Sequence, residues 1–212
     1  SVSPVPAGRL HCEKNTSPQG AVVVLEASTG RVLAMVSKPD YDPGTINEKW
    51  DTLTAESSSE SGSVLYNRVT QGLYAPGSTF KIVTLLEYMR ENPDSYADFS
   101  YNCKGNVTEG NYTISCYNKK AHGSEDLTKA FAKSCNSAFA TIGLSLDESL
   151  FKNTCEELLF NTELPSPLTY SKSSFSLKTD ATPAEQMMTA IGQGKTVVSP
   201  LHMALIGSAI AN

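Results

Sequence analysis

Residues 21–25 are a run of apolar, mostly β-branched side chains, Ser28-Thr29-Gly30 supplies turn chemistry, and strand character resumes over 31–37. That order predicts an antiparallel hairpin, with Gly30 available for the positive φ a tight turn demands. Over 38–62 the pattern dissolves into Pro39, Asp40, Asp42, Pro43 and Gly44 and then the run Ser57-Ser58-Ser59-Glu60-Ser61-Gly62. Such composition predicts a long exposed loop that neither holds a helix nor buries much.

From 79 to 89 the character changes again. Phe80, Ile82, Val83, Leu85, Leu86 and Met89 are too many and too widely spread for a one-sided amphipathic helix, so a buried helix is predicted. Further helices are predicted over 127–146, 182–191 and 200–211. The stretch 182–191 opens on a capping box, Thr182 with Glu185, and carries Pro183 at its first helical position; Ser199-Pro200 opens the last helix in the same way. Cys103 and Cys116 flank a segment that reads as a second hairpin. Its ends bring the two sulfurs together either as a disulfide of an oxidising compartment or as two half-buried thiols, and spacing does not choose between them.

With 212 residues, 40% hydrophobic and 18% charged, the chain suits one large globular domain with an apolar core. A net charge of −5 argues against nucleic acid as a partner. No apolar run approaches the roughly 20 residues of a membrane span. The start, Ser1 to Gly8, is polar and proline-rich rather than signal-like. Five cysteines at 12, 103, 116, 135 and 155 include no Cys-x-x-Cys pair, and His11, His122 and His202 are scattered. The spacing therefore argues against zinc, and no metal or cofactor is expected. Gly194-Lys195-Thr196 is no phosphate loop, because Thr189 stands where the first glycine belongs. Asn15, Asn106 and Asn111 fit the glycosylation pattern but read as ordinary surface positions.

Chemistry concentrates at Pro76-Gly77-Ser78-Thr79-Phe80-Lys81, where a turn runs into the buried helix. Ser78 and Lys81, three residues apart, share a helix face. A serine hydroxyl needs a base, and a lysine serves as one only if its pKa falls, which burial among apolar residues provides. The helix N-terminus adds backbone N–H groups suited to an oxyanion. A second constellation, Ser134-Cys135-Asn136, offers a proton-relay hydroxyl and a carboxamide able to hold a substrate amide. Arg68, just before the nucleophile turn, is expected to brace it through hydrogen bonds.

Ser-x-x-Lys followed by Ser-x-Asn resembles the signature of penicillin-binding proteins, whose set is completed by Lys-Thr-Gly. Residues 20–43, Asn67-Arg68 through Lys81, His122-Gly123 onward, Ile191-Gly192-Gln193-Gly194 and Ser199 to Ala204 also resemble that family. The resemblance implies a mixed α/β fold of the β-lactamase/transpeptidase type. Residues 1–212 would then form part of one transpeptidase domain, helix-rich, with an N-terminal hairpin from an antiparallel sheet whose later strands are missing. It implies Ser78 as nucleophile on D-Ala-D-Ala, Lys81 as base, Ser134 as proton relay and Asn136 as substrate contact. The implied ligands are peptidoglycan stem peptides and β-lactams, the implied partners other cell-wall synthesis proteins, and the implied location the outer face of the bacterial membrane, with an anchor outside this chain. No Lys-Thr-Gly occurs in the sequence. The 212 residues alone are therefore expected to be impaired, losing one of two oxyanion donors at a cost of ~100-fold or more. A β-lactam sensor, a non-catalytic peptidoglycan-binding module and a serine β-lactamase are the competing readings.

Overall fold

The computed structural model describes residues 19–55 and 64–212. The serine-rich run from Ser57 to Gly62, together with His11, Cys12 and Asn15, lies outside them. The N-terminal hairpin is present: β1 (Gly20–Leu25) pairs antiparallel with β2 (Val32–Lys38), Val22 opposite Val36 and Val24 opposite Ala34. Because strand side chains alternate, the hairpin has two unlike faces. Val22, Val24 and Val36 stand exposed, whereas α7 (Pro200–Ala211) contacts β1.

The expected loop over 38–62 is corrected in part. Asp42 caps a 3-10 turn at Pro43–Thr45 by accepting from Gly44 N–H at 2.9 Å, and a helix, α1 (Ile46–Ala55), follows. Its ten residues contain no glycine or proline; the breakers that suggested a loop sit on either side of it.

The expected buried helix is α2 (Lys81–Glu91), entered through a 3-10 turn at Gly77–Phe80. β3 (Ser100–Cys103) pairs with β6 (Gly123–Asp126), and between them β4 (Asn106–Glu109) and β5 (Tyr112–Ser115) form the second hairpin. The described residues thus carry three two-stranded sheets: the two expected hairpins and the unanticipated pair β3–β6.

The helix expected over 127–146 is two helices. α3 (Leu127–Ala132) stops, Ser134 takes φ +52°, and α4 (Asn136–Ser145) begins afresh. α5 (Glu148–Glu157) was not anticipated; Asp147 caps it by accepting from Ser149 and Leu150 N–H, both at 2.9 Å. α6 (Pro183–Ala190) carries the expected capping box, and Ser199 caps α7.

α4 runs through the middle of the core, with Ala138, Phe139, Ala140 and Ile142 buried. It packs against α6 so closely that a Cβ on Gly143 would lie 2.4 Å from that of Ala190. Phe80 is wholly buried among Phe151, Phe160 and Phe175, at centroid distances of 6.1, 5.8 and 6.1 Å. Aromatic contacts of this kind are worth about 0.5–1.5 kcal/mol each beyond area burial. They anchor the residue two places after Ser78.

Candidate active site

Ser78 is held from two directions. Phe80 pins the turn from below, and on the other side Gly77 N–H donates to the Gly192 carbonyl at 2.8 Å. Both glycines have positive φ, +56° and +74°. A Cβ on Gly192 would sit 1.9 Å from the Gly77 carbonyl oxygen, so only glycine permits this approach. Thr84 ties the same helix to α6 by donating to the Ala190 carbonyl at 2.8 Å.

Lys81, at the first position of α2, is 1% exposed. Its Nζ lies 2.8 Å from the Ser134 carbonyl, 3.0 Å from Ser134 Oγ, 2.6 Å from Asn136 Oδ1 and 3.4 Å from Ser78 Oγ. Four oxygens surround a nitrogen that carries at most three protons. A neutral amine satisfies the set in another way: two hydrogens go to the Ser134 carbonyl and Asn136 Oδ1, and the lone pair is left for a hydroxyl. Burial drives the pKa down, from 10.5 to about 8, against the opposing pull of the Cys135 and Cys116 thiols. A lysine with that pKa is a competent base near neutrality.

The break between α3 and α4 explains how Ser134 and Asn136 reach this nitrogen. Cys135 N–H donates to the Ala130 carbonyl and Ser134 N–H to the Phe131 carbonyl, both at 2.9 Å. This is the paired Schellman pattern that ends helices, with Ser134 in the left-handed position that glycine usually fills. Holding a serine there costs about 1–2 kcal/mol. The strain turns the Ser134 hydroxyl and carbonyl toward Lys81. Cys135 then caps α4, its Sγ accepting from Ala138 N–H at 3.5 Å, and Asn136 opens the new helix. Asn136 Nδ2 donates to the Ser115 carbonyl at 3.0 Å, which fixes the amide with its oxygen toward Lys81. The hairpin β4–β5 therefore positions the carboxamide.

Ser78, Ser134 and Asn136 line a cleft of about 260 Å³, together with Ser115, Tyr117, His122 and Lys133. All four residues singled out in the sequence are thus brought to one place. A larger cleft of about 410 Å³ beside α6 includes none of them. Arg68 is buried, its backbone N–H donating to Ser37 Oγ at 3.0 Å and its guanidinium to the Tyr66 carbonyl at 3.3 Å, so these bonds tie its segment to β2.

The cysteines were the least legible part. Cys103 and Cys116 do approach, but at 3.7 Å between sulfurs they are free thiols, as are Cys135 and Cys155. His122 is 19 residues from Cys103 in sequence; the fold places its Nδ1 3.5 Å from Cys103 Sγ.

A family model described as penicillin binding protein transpeptidase domain matches residues 20–212. The peptidoglycan D,D-transpeptidase PbpA of Mycolicibacterium smegmatis is 32% identical over 206 residues, a match covering 92% of this chain and 41% of that protein. Among solved structures, the D,D-transpeptidase domain of a peptidoglycan glycosyltransferase from Eggerthella lenta superposes with a TM-score of 0.81 at 31% identity, covering 92% of this chain and 49% of that one. The penicillin G acyl-enzyme complex of penicillin-binding protein A from M. tuberculosis superposes with a TM-score of 0.77 at 28% identity, covering 92% and 46%. The chain therefore spans less than half the length of these proteins.

Proposed function

Because the chain belongs to the penicillin-binding protein transpeptidase family, we propose that the Ser78 cleft is the acylation site of a peptidoglycan D,D-transpeptidase working outside the cytoplasmic membrane. The observation that carries this reading is the convergence on Lys81 Nζ of Ser78, from the turn into α2, and of Ser134 and Asn136, from the break between α3 and α4.

In this mechanism neutral Lys81 takes the Ser78 proton as Oγ attacks the carbonyl of a D-Ala-D-Ala stem peptide. Backbone N–H groups at the start of the Gly77–Phe80 turn, other than that of Gly77, which donates to the Gly192 carbonyl, favour the developing oxyanion. The carbon–nitrogen bond to the last alanine then breaks. Ser134 Oγ, 3.0 Å from Lys81 Nζ, relays the proton to the departing amine. Asn136 keeps one amide hydrogen beyond its bond to Ser115, available to a substrate carbonyl. An amine of a neighbouring stem peptide attacks the ester, releases Ser78 and forms the cross-link. β-Lactams acylate the same oxygen.

No carboxylate lines the cleft among the described residues. That favours transpeptidase over β-lactamase, since no carboxylate is there to activate water. These 212 residues contain no Lys-Thr-Gly. Alone they are expected to acylate ~100-fold or more slowly than a form that includes such a strand, for want of one oxyanion donor. A fluorescent penicillin tests both points. Slow, long-lived labelling that disappears in Ser78→Ala supports the proposal. Rapid turnover of the label would mean a β-lactamase, and rapid stoichiometric labelling would refute the impairment.

A further inference from the structure

We propose that Cys103, Cys116, His122 and Cys135 form a tetrahedral zinc site directly beneath the Ser134–Asn136 turn. Their four donor atoms lie within 4.8 Å of one another. Three of the separations are sharper: Cys103 Sγ to Cys116 Sγ is 3.7 Å, Cys116 Sγ to Cys135 Sγ 3.8 Å and Cys103 Sγ to His122 Nδ1 3.5 Å. A tetrahedron with Zn–S bonds of about 2.3 Å and a Zn–N bond of about 2.0–2.1 Å has S···S edges of about 3.8 Å and S···N edges of about 3.5 Å. Those three edges match these values, and the remaining ones lie within 4.8 Å. At 3.7 Å the Cys103 and Cys116 sulfurs are not bonded to each other, a disulfide holding them about 2.05 Å apart.

The surroundings suit a cation. Ser137 Oγ lies 3.2, 3.3 and 3.4 Å from the sulfurs of Cys103, Cys116 and Cys135. Gly105 N–H and Ala138 N–H donate to Cys103 Sγ and Cys135 Sγ at 3.4 and 3.5 Å. Hydrogen-bond donors around thiolates are the outer shell that orients metal ligands. Independently, the Glu125 carboxylate is fully buried beside the cluster, with Oε1 3.8 Å from His122 Nδ1, and neither of its oxygens accepts a hydrogen bond. Lys133 Nζ, 3.6 Å from Oε1, is its nearest cation. A buried carboxylate without a hydrogen-bond donor is costly unless a proton or a cation satisfies it. A soft, sulfur-rich, closed donor set selects zinc over magnesium or calcium.

Binding is a proton exchange. The three thiols lose their protons to solvent, neutral His122 donates its lone pair, and no electrons move. The ligands come from the end of β3, the segments after β5 and before β6, and the N-cap of α4. The ion would thereby staple four separate pieces of chain together, with Cys135 between Ser134 and Asn136.

The 212-residue chain, purified without chelator, should contain one equivalent of zinc by plasma mass spectrometry. Replacement by Co²⁺ should give the intense visible bands and near-ultraviolet thiolate charge transfer of a tetrahedral sulfur site. Cys116→Ser and His122→Ala should weaken zinc binding, measured against a chromophoric chelator, by more than the ~10–100-fold that loss of an outer-shell partner costs. Cys155→Ser should leave binding unchanged, because Cys155 is buried elsewhere. A metal-free protein with a Cys103–Cys116 disulfide, an octahedral cobalt spectrum, or zinc affinity indifferent to both ligand variants would each overturn the proposal. If the variants do not fold, the cobalt spectrum of the unaltered chain decides it.

Discussion

At the scale of single residues, Lys81 carries the most demanding chemistry. Its side chain is buried, its pKa is lowered to about 8 by desolvation, and the groups around it are Ser78, Ser134 and Asn136, with the Cys116 and Cys135 thiols and, in the same cleft, His122 and Lys133. Only the neutral amine accepts a proton, so at pH 7 roughly a tenth of the molecules are competent. The β-lactam acylation rate should rise about tenfold per pH unit below that pKa and level off above it; stopped acylation assays from pH 6 to 9 measure this. A rate independent of pH would remove Lys81 as the base. Ser134 allows structure to be separated from chemistry. Ser134→Gly suits the left-handed turn better than serine and should hold or raise the melting temperature. It should still slow acylation by about 100-fold or more, because the relay hydroxyl is gone. Both residues were legible in the sequence because spacing on one helix and a short polar triplet are local signals. The cluster of Cys103, Cys116, His122 and Cys135 was not, since it is assembled from four pieces of chain that no local pattern connects.

At the scale of elements, the capped helices α6 and α7 and both hairpins follow from turn and cap residues that act within a few positions. Hydrophobic periodicity alone missed the break between α3 and α4, because the residues on either side of Ser134 are apolar enough to continue a helix. What stops it is the pair of Schellman bonds together with the tertiary attraction of Lys81. α1 was hidden for the opposite reason, its ordinary helical sequence lying between proline-rich and serine-rich stretches. The clasp between residues 77 and 192 joins two elements far apart in sequence. Gly192→Ala would drive a methyl into the Gly77 carbonyl at a left-handed position, a cost of about 2–5 kcal/mol. Chemical denaturation should show that loss, and because the strain falls on the turn carrying Ser78, acylation should fall as well. Unchanged acylation in a folded Gly192→Ala protein would mean the clasp does not position the nucleophile.

For the whole molecule, the mixed α/β architecture with its N-terminal strand pair was readable from the hairpin and helix signals, and the family resemblance extended that to its likeness with transpeptidase domains. Of the short pairs, β4–β5 was legible as a hairpin and β3–β6 was less visible, its strands being joined only through that hairpin. They are nonetheless what places Ser115 against Asn136 and His122 against the cysteines. Among the described residues no helix is long and apolar enough to cross a membrane. The central claim is that these packed elements make Ser78 a nucleophile activated by Lys81. The most direct check is peptide mapping by mass spectrometry after prolonged incubation of the chain with benzylpenicillin, alongside Lys81→Ala. The expected outcome is one penicilloyl ester on Ser78, accumulating about 100-fold or more slowly in the lysine variant. An adduct on a different residue, or one that forms on Ser78 at the same rate without Lys81, would contradict it.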